Sequence, residues 1–134
     1  MPLLLDEDYD ALKERGISFV EDEVQRFFVV RGYRLPEDVY KQEFCDFLII
    51  IPPNYPQAGN DMLWTSPRLI RTDGKPIPAT NNVGGGDNKI FEGQEFCRWS
   101  RHWNQGSSVW RAGKDNFVTI FRRIDWAFRK PDAQ

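Results

Sequence analysis

Leu5, Tyr9 and Leu12 recur at spacings of four and three, acidic residues crowd the front, and Lys13 and Arg15 lie at the back. That spacing predicts a helix over residues 6–15, ended by Gly16. From Ile17 the apolar period falls to two. Ile17, Phe19 and Glu21 share one side of a first strand that ends at Glu21-Asp22-Glu23, and residues 27–30 form a second strand after a polar turn. Residues 32–40 read as a connector, because Pro36 cannot sit in a central strand. Residues 44–51 are the most apolar stretch and the expected central strand. Pro52-Pro53-Asn54-Tyr55-Pro56 stops it, since three prolines remove backbone donors and hold the chain extended. Met62-Leu63-Trp64 and Arg68-Leu69-Ile70 read as a short fourth strand interrupted at Ser66-Pro67. Residues 72–95, with Gly74, Pro76, Pro78 and Gly84-Gly85-Gly86, read as a long irregular loop. A loop of that length between folded flanks is more often functional than a linker. Finally, Phe117, Ile120, Phe121, Ile124, Ala127 and Phe128 make one apolar helical face, with Asp115 as its cap and Pro131 beyond its end.

The order is helix, four-stranded antiparallel meander, long loop, helix. It predicts an α+β fold with N-terminal and C-terminal helices packed on the sheet. The 134 residues fit one domain spanning 1–134. With 20 acidic and 18 basic side chains the formal charge is -2, which gives no single-signed field for nucleic acid or an anionic membrane. The longest apolar run, residues 47–53, is far short of the roughly 18 residues a membrane span requires. Leu3-Leu4-Leu5 is followed at once by Asp6-Glu7-Asp8, the reverse of a secretion signal's charge order, so the cytoplasm is the expected location.

Cys45 lies in the central apolar run and reads as core filling, whereas Cys97 lies in a polar, tryptophan-rich segment; free thiols are expected. One histidine, His102, and no CxxC pair argue against a metal site, and the glycine triplet lacks a phosphate-binding arrangement. No cofactor is expected.

The ordered motifs resemble the ubiquitin-conjugating superfamily, and within it the bacterial group called prokaryotic E2 family E. Ile49-Ile50-Ile51-Pro52-Pro53-Asn54-Tyr55-Pro56 is similar to that superfamily's strand and YP turn, Met62-Leu63-Trp64 with Ser66-Pro67 to the strand after it, and Trp110-Arg111-Ala112-Gly113 to its next helix start. Gly93-Gln94-Glu95-Phe96-Cys97 is similar to the glycine, spacer and catalytic cysteine. The resemblance implies a UBC-like sheet with a long active-site loop. It also implies a carrier that takes a ubiquitin-like modifier from an E1-like adenylating enzyme as a thioester and passes it to an amine or a next carrier. A JAB-type deconjugating protease is a further implied partner. Pro52, Pro53, Tyr55, Pro56 and Trp110 carry over as structural motif residues. The family's His-Pro-Asn triplet is absent; Asn88, nine residues before Cys97, stands nearest its asparagine as oxyanion stabiliser.

A thiolate is both a good nucleophile and a good leaving group, so Cys97 needs only oxyanion stabilisation from Asn88 or from loop amides, with Asp87 and Glu95 as candidates to orient the amine. The resemblance to the bacterial group also stresses the Trp99-Ser100-Arg101-His102 segment, which implies Ser100 as a rival nucleophile. Its less acidic hydroxyl needs a base, and His102 is the candidate. Trp99 and Trp103 are candidates for partner docking or for core. The alternative to a carrier is an inactive E2-like protein that binds or scaffolds a modifier pathway.

Overall fold

The structure is a computed structural model that describes residues 2–103 and 109–133. Its elements are helix α1 (Asp6–Glu14), strands β1 (Ser18–Asp22), β2 (Phe27–Arg34), β3 (Phe44–Ile50), β4 (Leu63–Ser66), β5 (Lys89–Phe91) and β6 (Gln94–Trp99), and helix α2 (Phe117–Arg129). All neighbours pair antiparallel in the order β1-β2-β3-β4-β6-β5. The α+β expectation holds, but among the described residues the sheet has six strands rather than four.

Of the two additional strands, β5 falls inside the stretch read as irregular, residues 72–95, and β6 starts in it and runs on to Trp99. Lys89 pairs with Phe96 and Phe91 with Gln94 across a two-residue turn, Glu92-Gly93, in which both residues have positive φ. Such a turn matches strand twist, but Glu-Gly is a weaker hairpin signal than Asn-Gly, and the glycine triplet upstream hides it. Three further differences are local. β2 runs on to Arg34 past an irregularity between Val30 and Tyr33, where the Gly32 N–H donates to Asp46. β4 covers Leu63–Ser66 only, and Arg68-Leu69-Ile70 lie outside it. The cap of α2 is Asn116, whose side chain accepts from Val118 N–H; Asp115 accepts instead from the Arg111 N–H at 2.7 Å and the Thr119 hydroxyl at 3.3 Å.

The apolar stripe of α2 fixes where the core sits. Ile120, Ile124 and Phe128 pack on Phe28, Val30, Phe47, Ile49, Leu63 and Trp99 from one sheet face. Phe27, Val29, Leu48, Trp64, Phe91 and Phe96 make a smaller core on the other face, with the Phe91 and Phe27 rings 6.5 Å apart. The β5–β6 hairpin therefore curls over the sheet, and Phe27 to Val30 are buried on both sides, which is why that run shows no alternation.

Buried Asp8 ties the ends together. Its carboxylate accepts from the Leu5 N–H (3.1 Å), the Tyr55 hydroxyl (2.7 Å) and the Phe117 N–H (3.4 Å), joining α1, the proline turn and the start of α2.

Candidate functional site

The chain leaving β6 alternates strictly in burial: Trp99, Arg101 and Trp103 are 1%, 0% and 5% exposed, while Ser100 is half-buried and His102 exposed. A period of two places Ser100 and His102 on the outward side together, about 6.5 Å apart along an extended chain. The tail is pinned on both flanks. Ser100 N–H donates to Ala79 O, and Met62 N–H donates to Arg101 O, both at 2.8 Å. Ala79 and Met62 both have positive φ, an uncommon conformation for residues with a Cβ.

Arg101 is the inward anchor. Its guanidinium lies 5.0 Å from the Trp99 ring centroid and donates to the carbonyls of Pro78 (3.1 Å), Ser100 (2.9 Å) and Pro131 (3.0 Å). Burial pushes its pKa down. On the outward side, His102 Nδ1 lies 3.0 Å from Asp61 Oδ2, and Asp61 Oδ1 accepts the Trp103 N–H at 2.7 Å. No hydrogen bond joins the Ser100 hydroxyl to the His102 ring. Trp99 and Trp103 are packed inside rather than open to a partner, and Trp103 O accepts from Arg123, whose guanidinium also lies 5.4 Å from the Trp110 ring centroid.

Cys97 lies two positions before Trp99, on the same inward side. It is 2% exposed, opposite Thr65 of β4, and its thiol pKa is raised by burial and then by the Glu95 charge. The β5–β6 pairing brings Asn88 beside it, with Nδ2 3.9 Å from Sγ. That amide also donates to Glu95 Oε2 and Asn82 O, each at 2.9 Å, and Asn88 Oδ1 accepts the Arg98 N–H at 3.0 Å. Gly84 N–H donates to the same Glu95 oxygen at 2.8 Å, which ties the glycine loop to the Asn88–Glu95 pair. Asp87 pairs with Arg98 at 2.7 Å and accepts the Trp64 indole N–H at its carbonyl. Cys45 is also a free, buried thiol with a raised pKa.

The proline turn does structural work. Tyr55 reaches Asp8, and Trp110 donates its indole N–H to Pro56 O at 2.8 Å. Trp110 does not open a helix, as the resemblance implies: α2 starts at Phe117, and Trp110 is a side-chain lock on the turn. Residues 104–108, in the long stretch between Cys97 and Trp110, lie outside the described residues. Sequence reasoning missed Asp61 and Arg101. Asp61 is 41 positions from His102, and no spacing rule links them. Arg101 had a signal, the Trp-x-Arg-x-Trp alternation, but its charge argues for an outward side chain. Among the described residues, no group of three or more His, Cys, Asp or Glu side chains is placed to hold a metal ion, and no helix is long and apolar enough to cross a membrane.

Two helices on a curled antiparallel sheet, with a proline turn after its central strand, fit the general layout of the ubiquitin-conjugating class. The sequence model of prokaryotic E2 family E matches residues 4–131, and the chain belongs to that family. No curated protein and no solved structure matches it.

Proposed function

We propose that this protein is an E2-like carrier in a bacterial ubiquitin-like conjugation pathway, taking a modifier's C-terminal carboxyl from an E1-like enzyme onto Ser100 and passing it to an amine or a next carrier. A JAB-type protease is the proposed deconjugating partner, and the cytoplasm the proposed setting. The single observation that carries the assignment is the alternation from Trp99 to Trp103, which turns Ser100 and His102 outward while Asp61 holds the His102 ring.

In the loading step the Ser100 hydroxyl attacks the modifier's C-terminal carbonyl carbon. Its proton passes to His102 Nε2, directly or through one bridging water. The new oxygen–carbon bond forms, the acyl bond to the E1-like enzyme breaks, and the proton goes from His102 to the departing group. Transfer onward repeats the exchange with an amine as nucleophile.

A second assignment, a Cys97 thioester, is favoured by the Asn88 amide 3.9 Å from Sγ, the position an oxyanion donor would occupy. It requires the buried Cys97 thiol to become accessible first. Intact mass after incubation with the E1-like partner, modifier and ATP separates the possibilities. An adduct that resists reductant, is cleaved by alkali and is missing in Ser100→Ala supports Ser100. One removed by reductant and missing in Cys97→Ala replaces it with Cys97. No adduct in any form, with the E1-like partner charged, leaves a non-covalent modifier-binding or scaffolding role.

A further inference from the structure

We infer that Asp61 is a positioning residue that fixes the single histidine, His102, with its ring proton on Nδ1 and its lone pair on Nε2. The catalytic consequence rests on Ser100 loading as proposed above, but the clamp itself does not.

The geometry of the clamp leaves little choice. A carboxylate only accepts hydrogen bonds. Asp61 Oδ1 takes the Trp103 backbone N–H at 2.7 Å, and Oδ2 faces His102 Nδ1 at 3.0 Å. Nδ1 must therefore donate, and the acceptor of the neutral ring is Nε2. Both ends of the clamp are anchored. On one side the Asn60 side chain donates to Met62 O, and Met62 N–H donates to Arg101 O; on the other, Trp103 is 5% exposed and Trp103 O accepts from Arg123. A surface ion pair between two free side chains would be worth little and would wander. Here the carboxylate also holds a backbone donor, so its plane is set by the main chain, and the ring follows.

Two substitutions separate positioning from mere structural support. In Asp61→Asn the amide has one oxygen, and the Trp103 N–H claims it. The amide NH2 then faces His102 Nδ1, which must accept, so the proton moves to Nε2 and the ring loses its outward lone pair. In Asp61→Ala nothing dictates the tautomer, and both forms coexist. A supporting role predicts that alanine does more damage than the isosteric asparagine; positioning of a base predicts the reverse.

Because the chain has one histidine, its ring nitrogens give one unambiguous pair of 15N signals. The expected result, at a pH where the ring is neutral, is an Nδ1-protonated ring in the wild type, an Nε2-protonated ring in Asp61→Asn and a mixture in Asp61→Ala. Diethyl pyrocarbonate, which acylates an unprotonated imidazole nitrogen, should modify His102 fastest in the wild type and slowest in Asp61→Asn. In the mass assay, Asp61→Asn should load about 10²-fold more slowly than wild type or worse, and more slowly than Asp61→Ala. An Nε2-protonated wild-type ring, or the same tautomer in wild type and Asp61→Asn, overturns the clamp. Faster loading by folded Asp61→Asn than by Asp61→Ala overturns its role in transfer. If the wild type does not load from a charged E1-like enzyme, the carrier assignment fails instead, and the 15N result still decides the clamp.

Discussion

Gly59 is buried against the indole of Trp110, and a Cβ added there would lie 2.1 Å from Cε3, 2.5 Å from Cζ3 and 2.7 Å from Cδ2 of that ring. The ring has little room to retreat. Its N–H is bonded to Pro56 O at 2.8 Å, the Tyr55 ring centroid is 6.2 Å away, and the Arg123 guanidinium sits 5.4 Å from its own centroid. Gly59→Ala should therefore force the indole off its carbonyl. Overpacking strain plus the lost hydrogen bond come to about 2–4 kcal/mol. Trp110→Ala alone should cost about 3 kcal/mol, the low end for a tryptophan truncation because the ring is half-buried. The two changes should not add. With the indole gone, alanine at position 59 meets no ring and gains up to about 1 kcal/mol from the stiffer unfolded chain. A double-mutant cycle should return a coupling of about 2–4 kcal/mol. Urea unfolding measures it: with a slope near 2 kcal/mol per M, the midpoint of Gly59→Ala falls by about 1–2 M at unchanged slope. Additive costs in the double variant, or a neutral Gly59→Ala, would refute the contact and with it the lock between the proline turn and the segment leading into α2.

The remaining expectations concern Asp8, Cys97 and Glu95. Asp8→Asn replaces an acceptor of the Leu5, Tyr55 and Phe117 donors with a group that must donate, leaving at least one buried donor unpaired, so the melting temperature should fall by the equivalent of about 2–4 kcal/mol. Cys97 and Cys45, both buried and with raised pKa values, should react with a chromogenic disulfide about 10²-fold more slowly in the native protein than in urea. A Cys97 thiol that titrates at once in the folded protein would move the thioester assignment ahead of Ser100. The Asn88 amide, and then the Gly84 N–H, hold Glu95 below the usual carboxylate range. Its folded pKa is thus depressed, so its contribution is complete above an unfolded value near 4.3 and is lost as pH falls through the lower folded value. The Gly84 amide resonance should follow that titration, and Glu95→Gln should abolish it; an amide that ignores acid in the wild type would disprove the tether.

The sequence makes some elements plain and hides others for physical reasons. Residues with one buried face, such as Leu12 of α1 and Ile120, Ile124 and Phe128 of α2, announce themselves by period. The Phe44–Ile50 strand and the turn after it are as plain, because prolines punctuate them. The β5–β6 hairpin is hidden because its buried residues, Phe91 and Phe96, serve a second core that exists only once the sheet has curled. Asn88 lies at the expected interval from Cys97, yet what brings them together is the hairpin pairing of Lys89 with Phe96. Asp61 was beyond sequence reasoning altogether: an aspartate after a proline turn resembles any solvated loop residue until the sheet sets it opposite His102.

Cys97 and Ser100 are three positions apart, and strand parity alone sends one inward and the other outward. A one-residue slip would exchange them. Parity is held by Leu63 opposite Trp99, by Thr65 opposite Cys97 and by the bridge from Thr80 to Trp99. Beyond the last ladder pair, Arg101 continues the lock. Its inward cation has no carboxylate partner among the described residues; its two terminal nitrogens donate to three backbone carbonyls, one of them next to it and two from distant loops, and its buried Nε–H finds no partner among the described residues. Only an inward Arg101 reaches the Pro78 and Pro131 oxygens. Were the tail to slip, the guanidinium would leave both, and Trp103 would have to surface with it. The register that buries an arginine is therefore the register that turns Ser100 and His102 to the outside.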